Sequence, residues 1–165
     1  MTGTQQTSTR ETRIEVDKDV PLIRIVREFD APAAKVFRAH VDPDLVVRWL
    51  GPRGLEMRID RWDARTGGAY RYVHSRRGEE YWFHGSFHEV RPDDLTIVQT
   101  FTFEGAPDSV ALEKLVLTDL GNGRTRLTAT SLVDSFADRD AFVASGMETG
   151  AIEGYEKLDE VLADL

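Results

Sequence analysis

Tyr70, Tyr72 and His74 occupy alternate positions of one short run, and Tyr81, Phe83, Gly85 and Phe87 do the same a few residues later. Period-two spacing puts such side chains on one face of a strand. The separator Arg77-Gly78-Glu79 makes the two runs a hairpin. With an even-length turn, His74 falls opposite Tyr81 or Phe83 and Tyr72 opposite Phe83 or Gly85, so one face gathers the rings. An odd loop would instead bring Trp82, His84, Ser86 and His88 to that face. Which face of residues 80–90 points inward therefore stays open, and the even turn is preferred because it collects aromatics. Phe101 and Phe103 form a further pair at strand spacing. Rings with a few polar tips suit a pocket for an apolar or aromatic molecule. His74 is the one polar group there that could orient a ligand or move a proton. The plainer alternative is that the rings fill a core.

Other chemistry is hard to build from these residues. The sequence holds no G-x-S-x-G elbow, Walker A loop, G-x-G-x-x-G unit or H-E-x-x-H helix. Four histidines raise the question of a metal, but His84 and His88 on one strand would stand about 13 Å apart. With no cysteine and no carboxylate cluster at ligand spacing, no metal site is expected. Asp60, Asp63 and Arg65 read as structural ion pairing, and Arg76-Arg77 as a solvated turn. No catalytic residue and no cofactor is assigned.

These residues need elements to hold them. Pro21 introduces a first strand, Leu22-Ile23-Arg24-Ile25-Val26-Arg27-Glu28-Phe29. Asp30-Ala31-Pro32 reads as an Asx-capped helix start, with Ala33, Val36, Phe37 and His40 at helical spacing. Asp42-Pro43 starts a second short helix carrying Val46, Trp49 and Leu50, stopped by Gly51-Pro52. Six short alternating runs follow, over 55–63, 68–75, 80–90, 95–103, 111–118 and 124–132, separated by Gly- and Pro-rich turns: an antiparallel meander. A long helix over about 138–163 closes the chain, opened by Ser135-x-x-Asp138. Its stripe is Met147, Ala151, Tyr155, Leu158, Leu162 and Leu165. Gly146, Gly150 and Gly154 run along the stripe's edge. Each interior Gly costs a helix roughly 1 kcal/mol against Ala. The expectation is a helix that roofs a cavity and is thinned where it does so, with Gly150 and Gly154 facing the sheet or the cavity.

Composition bounds the function. The 165 residues suit one domain, with 1–18 a flexible polar tail in which a strand could start as late as Ile14, and 19–165 the folded unit. A net charge of −8, from 21 basic against 29 acidic residues, argues against nucleic acid as a partner. No apolar run approaches the roughly 18 residues of a membrane span, and the N-terminus lacks an apolar signal core. The expected location is the cytoplasm; a homodimer is compatible with the sequence.

The segments REFDAPAAKVF (27–37), DPDLVVRWLGPRG (42–54), DARTGGAYRYV (63–73), HGSFHEVRPDDLTIVQTF (84–101) and SGMETGAIEGYEKLDEVL (145–162) jointly resemble the START-like, or SRPBCC, superfamily. Within it they are similar to the family named for the activator of heat-shock-protein ATPase. The resemblance implies an α+β helix-grip fold: a seven-stranded antiparallel sheet around a long C-terminal helix, with two short helices between strands 1 and 2. It also implies a cavity for a small hydrophobic ligand, and carries Trp49, Tyr70, Tyr72 and Met147 to its wall. With the residues read above, the expected ligand contacts are Trp49, Tyr70, Tyr72, His74, Phe83, Phe101, Phe103, Met147 and Gly150. Relatives of this kind also include polyketide cyclases and a co-chaperone, so a cyclase or dehydratase using His74 and a tyrosine, or a stress-related interaction protein, are the alternatives.

Overall fold

Inward-facing positions on the strands alternate with outward ones along most of the sheet. In β2 (Leu22–Phe29) the buried residues are Ile23, Ile25, Arg27 and Phe29, every second position. That alternation fixes which face carries the core. The computed structural model describes residues 10–165. After β2 come α1 (Ala33–Val41), α2 (Pro43–Trp49), β3 (Glu56–Trp62), β4 (Ala69–Arg76), β5 (Glu79–Arg91), β6 (Thr96–Phe103), β7 (Ala111–Gly121) and β8 (Arg124–Leu132). Strands β3 to β8 form the expected meander, and β2 joins it beside β8.

The sheet has eight antiparallel strands rather than the seven expected. The additional strand, β1 (Arg13–Val16), pairs with β2 and packs Ile14 onto the core. Residues 13–16 of the expected tail are therefore ordered: Ile14 has an apolar neighbour to cover, and β2 would otherwise present an open edge. Residues 1–9 of that tail lie outside the described residues.

The C-terminal helix also departs from expectation. It is two helices, α3 (Phe136–Ala144) and α4 (Met147–Ala163). Gly146, at φ 90°, turns into the left-handed region and interrupts the ladder. Ser135 caps α3 by accepting from the Asp138 amide at 3.1 Å, as its position suggested. At α1 the expected Asx cap is absent. The N-cap is Pro32, and Asp30 instead takes Arg124 and Arg10. Asp42 does cap α2, accepting from the Asp44 amide at 3.0 Å.

α4 buries Tyr155, Leu158, Val161 and Leu162 in the core that the sheet shares with α1 and α2, and Tyr155 meets the Phe29 ring of β2 edge-on. Burying each such aliphatic side chain contributes about 1.5–3 kcal/mol. A polar clamp sets its rotation: Arg27, on the inner face of β2, donates to both carboxylate oxygens of Asp159 at 2.6 Å. The guanidinium also lies 4.7 Å from the Phe29 ring centre. Losing Asp159 would leave a buried cation unpaired, which is why such pairs hold their geometry. Gly154 has surface on the cavity, one of the two placements expected, and its near neighbour is the loop after α2. A Cβ there would stand 3.3 Å from the Trp49 carbonyl oxygen and 3.4 Å from the Gly51 nitrogen, so this glycine lets α4 press on the loop after α2.

Candidate ligand cavity

Between the concave sheet face, the end of α2 and α4 lies a cavity of about 1300 Å³. The turn that sets its floor is Arg77-Gly78, both residues at positive φ, the backbone that a two-residue hairpin of type I′ needs. It pairs His74 with Tyr81, Tyr72 with Phe83 and Tyr70 with Gly85. The even-length register is therefore the one present, and the Tyr81, Phe83, Gly85, Phe87 face of β5 points inward. The odd-register set of Trp82, His84, Ser86 and His88 faces away.

All nine residues expected at the site have surface on this cavity: Trp49, Tyr70, Tyr72, His74, Phe83, Phe101, Phe103, Met147 and Gly150. The rings form a stacked series. Tyr70 and Tyr72 stand 6.0 Å apart, Tyr72 and Phe83 5.2 Å, and Phe83 and Phe101 5.4 Å, with small interplanar angles. Trp49 stacks on Tyr155 at 6.0 Å across the cavity's helical side. Trp49 is itself held by its indole N–H, which donates to the Ala39 carbonyl at 2.8 Å. Gly150 leaves open space, since only Pro52 approaches a Cβ placed there, at 3.6 Å.

His74 is less available than its position suggested. Its Nε2 is buried without a partner, and the ring edge lies on Gly51, where an added Cβ would meet Cε1 at 2.4 Å. Burial, more than any charge, lowers its pKa, with main-chain hydrogen bonding to Leu50 opposing and Lys157 adding to the effect. His40 behaves alike: burial holds it down to about 4, against the hydrogen bond that its Nδ1 donates to the Val36 carbonyl at 2.7 Å. Both rings are neutral spacers rather than cations.

The cavity's most polar wall was not expected. Glu113 on β7 faces inward, directly across from Ser131 on β8 and Gln99 on β6. The Ser131 hydroxyl donates to Glu113 Oε2 at 2.7 Å, and the Gln99 amide reaches Oε1 at 3.4 Å and the Tyr70 hydroxyl at 3.3 Å. Tyr70 in turn donates to the Thr100 carbonyl at 2.6 Å. Burial raises the pKa of Glu113, with Ser131 and Gln99 opposing. Tyr70, Tyr72 and Tyr155 are raised as well, mainly by burial and then by the nearby charge of Glu113. One signal for Glu113 was in the sequence. It shares its strand parity with Leu115 and Leu117, which marks an inward charge, but Leu112 and Val116 give the opposite parity an equal apolar claim.

Among the described residues no group of three or more His, Asp or Glu is placed to hold a metal ion. No helix there is long and apolar enough to cross a membrane.

No curated protein matches this chain. Solved structures do. One from Rhodobacter sphaeroides is 26% identical, with a TM-score of 0.84, covering 94% of this chain and 100% of its own. One from Arthrobacter aurescens is 27% identical, with a TM-score of 0.81 over 93% and 92% of the two chains. DynU16, a protein in the dynemicin biosynthetic locus, shares the fold at 20% identity and a TM-score of 0.63. That match covers 87% of this chain and 47% of DynU16. Residues 30–163 match the family described as Activator of Hsp90 ATPase homolog 1-like protein. With the eight-stranded helix-grip sheet around α4, that match makes the chain a member of this family, within the SRPBCC superfamily.

Proposed function

We propose that this protein encloses one small, largely apolar molecule between its sheet and α4, with Trp49, Tyr70, Tyr72, Phe83, Phe101, Phe103, Met147 and Gly150 as contacts and His74 as a wall. The observation that carries this reading is the cavity of about 1300 Å³ faced by stacked rings. Ligand pockets of a few hundred to about 1,000 Å³ hold drug-sized molecules, so the space admits a multi-ring or long-chain guest. Open volume of this size favours a binder over an interaction protein, whose core would be filled. A cyclase or dehydratase acting through His74 fits less well, because Nε2 is packed on Gly51 instead of the cavity.

Native mass spectrometry of protein purified from its own host tests this reading. The expected spectrum shows a fraction of chains with added mass that organic solvent releases as a small molecule. A bare chain that also fails to take up an apolar probe such as ethylnaphthalene would contradict it.

A further inference from the structure

Arg53, Arg76, Arg77 and Lys114 have surface on the cavity, yet among the described residues the inward acid Glu113 has no base paired to it. Among the described residues, Glu113 receives hydrogen bonds only from Ser131 and Gln99, and the second is long. Among the described residues none forms an ion pair with it. Its chain neighbour Lys114 points to the opposite face of β7. Arg27, the cation buried on the same sheet face, is committed to Asp159 through both carboxylate oxygens. In cross-strand order Arg27 belongs with Leu127 and Leu117, four residues along β7 from Glu113. Arg53, on the cavity wall beyond α2, is turned to Glu160 and Glu156.

What surrounds Glu113 is rich in acceptors. Among the described residues no protein group bonds the hydroxyls of Tyr72 or Tyr155, and both rings feel its charge. Ring faces attract cations, and a carboxylate removed from water needs a donor or a counter-charge. A guest without a donor would leave that need unmet, and a cationic donor meets it most fully.

We infer that the cavity's guest is an apolar, ring-bearing amine whose protonated nitrogen docks on the Glu113 carboxylate, beside Gln99 and the Tyr70 hydroxyl. This rests on the ligand-binding reading above and adds the polar end of the ligand. The rest of the guest lies along the Tyr72, Phe83 and Phe101 rings, and the ammonium stands at the Ser131–Glu113–Gln99 row. The whole chain's net charge of −8 assists the approach of such a cation.

Calorimetric titration of the full chain with naphthylethylamine, naphthylethanol and ethylnaphthalene tests the inference. The three probes share one ring system and differ at a single terminal group. The amine is expected to bind about tenfold or more tightly than the alcohol, the scale of one charge-assisted hydrogen bond. Glu113→Gln should abolish that preference while ethylnaphthalene binds as before, and Glu113→Asp, with its carboxylate drawn back, should retain only part of it. An amine no tighter than the alcohol, or a preference that survives Glu113→Gln, overturns the inference and leaves cavity binding standing. If none of the three binds, the cavity reading and the inference fall together. The comparison of amine with alcohol on the unaltered chain decides the matter even if the variants fold poorly.

Discussion

Glu113 sits where a residue's preference and its strand's register disagree. In the unfolded chain its carboxyl titrates near 4.5, and burial in the folded chain raises that value. Between the two, the folded chain keeps a proton that the unfolded chain has released. Stability therefore falls as pH rises across the window and stays lower above it. Glu113→Gln removes the titration, so it should raise the melting point at mildly alkaline pH, by about 1 kcal/mol in stability, the scale of relieving one ill-paired buried polar group. The gain should vanish as pH falls to about 4.5. His40 acts with the opposite sign, since the unfolded ring takes a proton below 6.5 and the buried one only near 4, so acid destabilises the fold across that range. That loss is common to both proteins and cancels in their difference. Thermal melts of the two across pH measure it, and a constant gap would show that Glu113 is not desolvated. The rings of this site were legible in sequence because Tyr70 and Tyr72 alternate on one strand, whereas Phe83 depended on the even turn, since an odd loop would have turned Trp82 inward. Glu113 was not legible, because Leu112 and Val116 offered an equally apolar alternative face.

At the scale of elements, the glycines of the last helix divide their work. Gly146 ends one helix and begins another; Gly154 admits the loop after α2; Gly150 leaves space at the cavity. The sequence showed one line of three glycines at a spacing of four but not what stood opposite, because the partners, Trp49 and Gly51, lie about a hundred residues away. Gly154→Ala places a Cβ at 3.3 Å from a main-chain oxygen that cannot swing aside. It should lower stability by about 1–3 kcal/mol, as overpacking does. Gly150→Ala meets only Pro52, at ordinary contact distance, and should raise stability by up to about 1 kcal/mol through helix propensity. Denaturant melts of the pair measure both, and equal effects would show that the three glycines act as one stripe after all. Order of elements, by contrast, was readable nearly throughout, since the turn residues of the meander mark each strand end. β1 was legible only as a late strand start at Ile14, because four residues with a single half-buried apolar side chain carry too little pattern to stand out from a polar tail.

For the whole molecule, two apolar surfaces compete as the place a guest could bind. One is the cavity between the sheet and α4. The other is the outer sheet face, where Leu112, Val116 and Leu132 stand exposed. The first is ringed by aromatic side chains and holds the Ser131–Glu113–Gln99 row, whereas the groove beside Leu112 on the outer face is smaller, about 460 Å³, and lined mostly by polar and charged side chains. Family membership and the helix-grip order agree with a container, but both were reached from residues scattered over the chain, and neither names the guest. Intermolecular nuclear Overhauser effects from bound ethylnaphthalene to the labelled protein test the container directly. Contacts to the rings of Trp49, Tyr72 and Phe83 and to the Met147 methyl are expected, with none to Leu112, Val116 or Leu132. Contacts confined to those three outer residues, or no bound probe at all, would contradict the account.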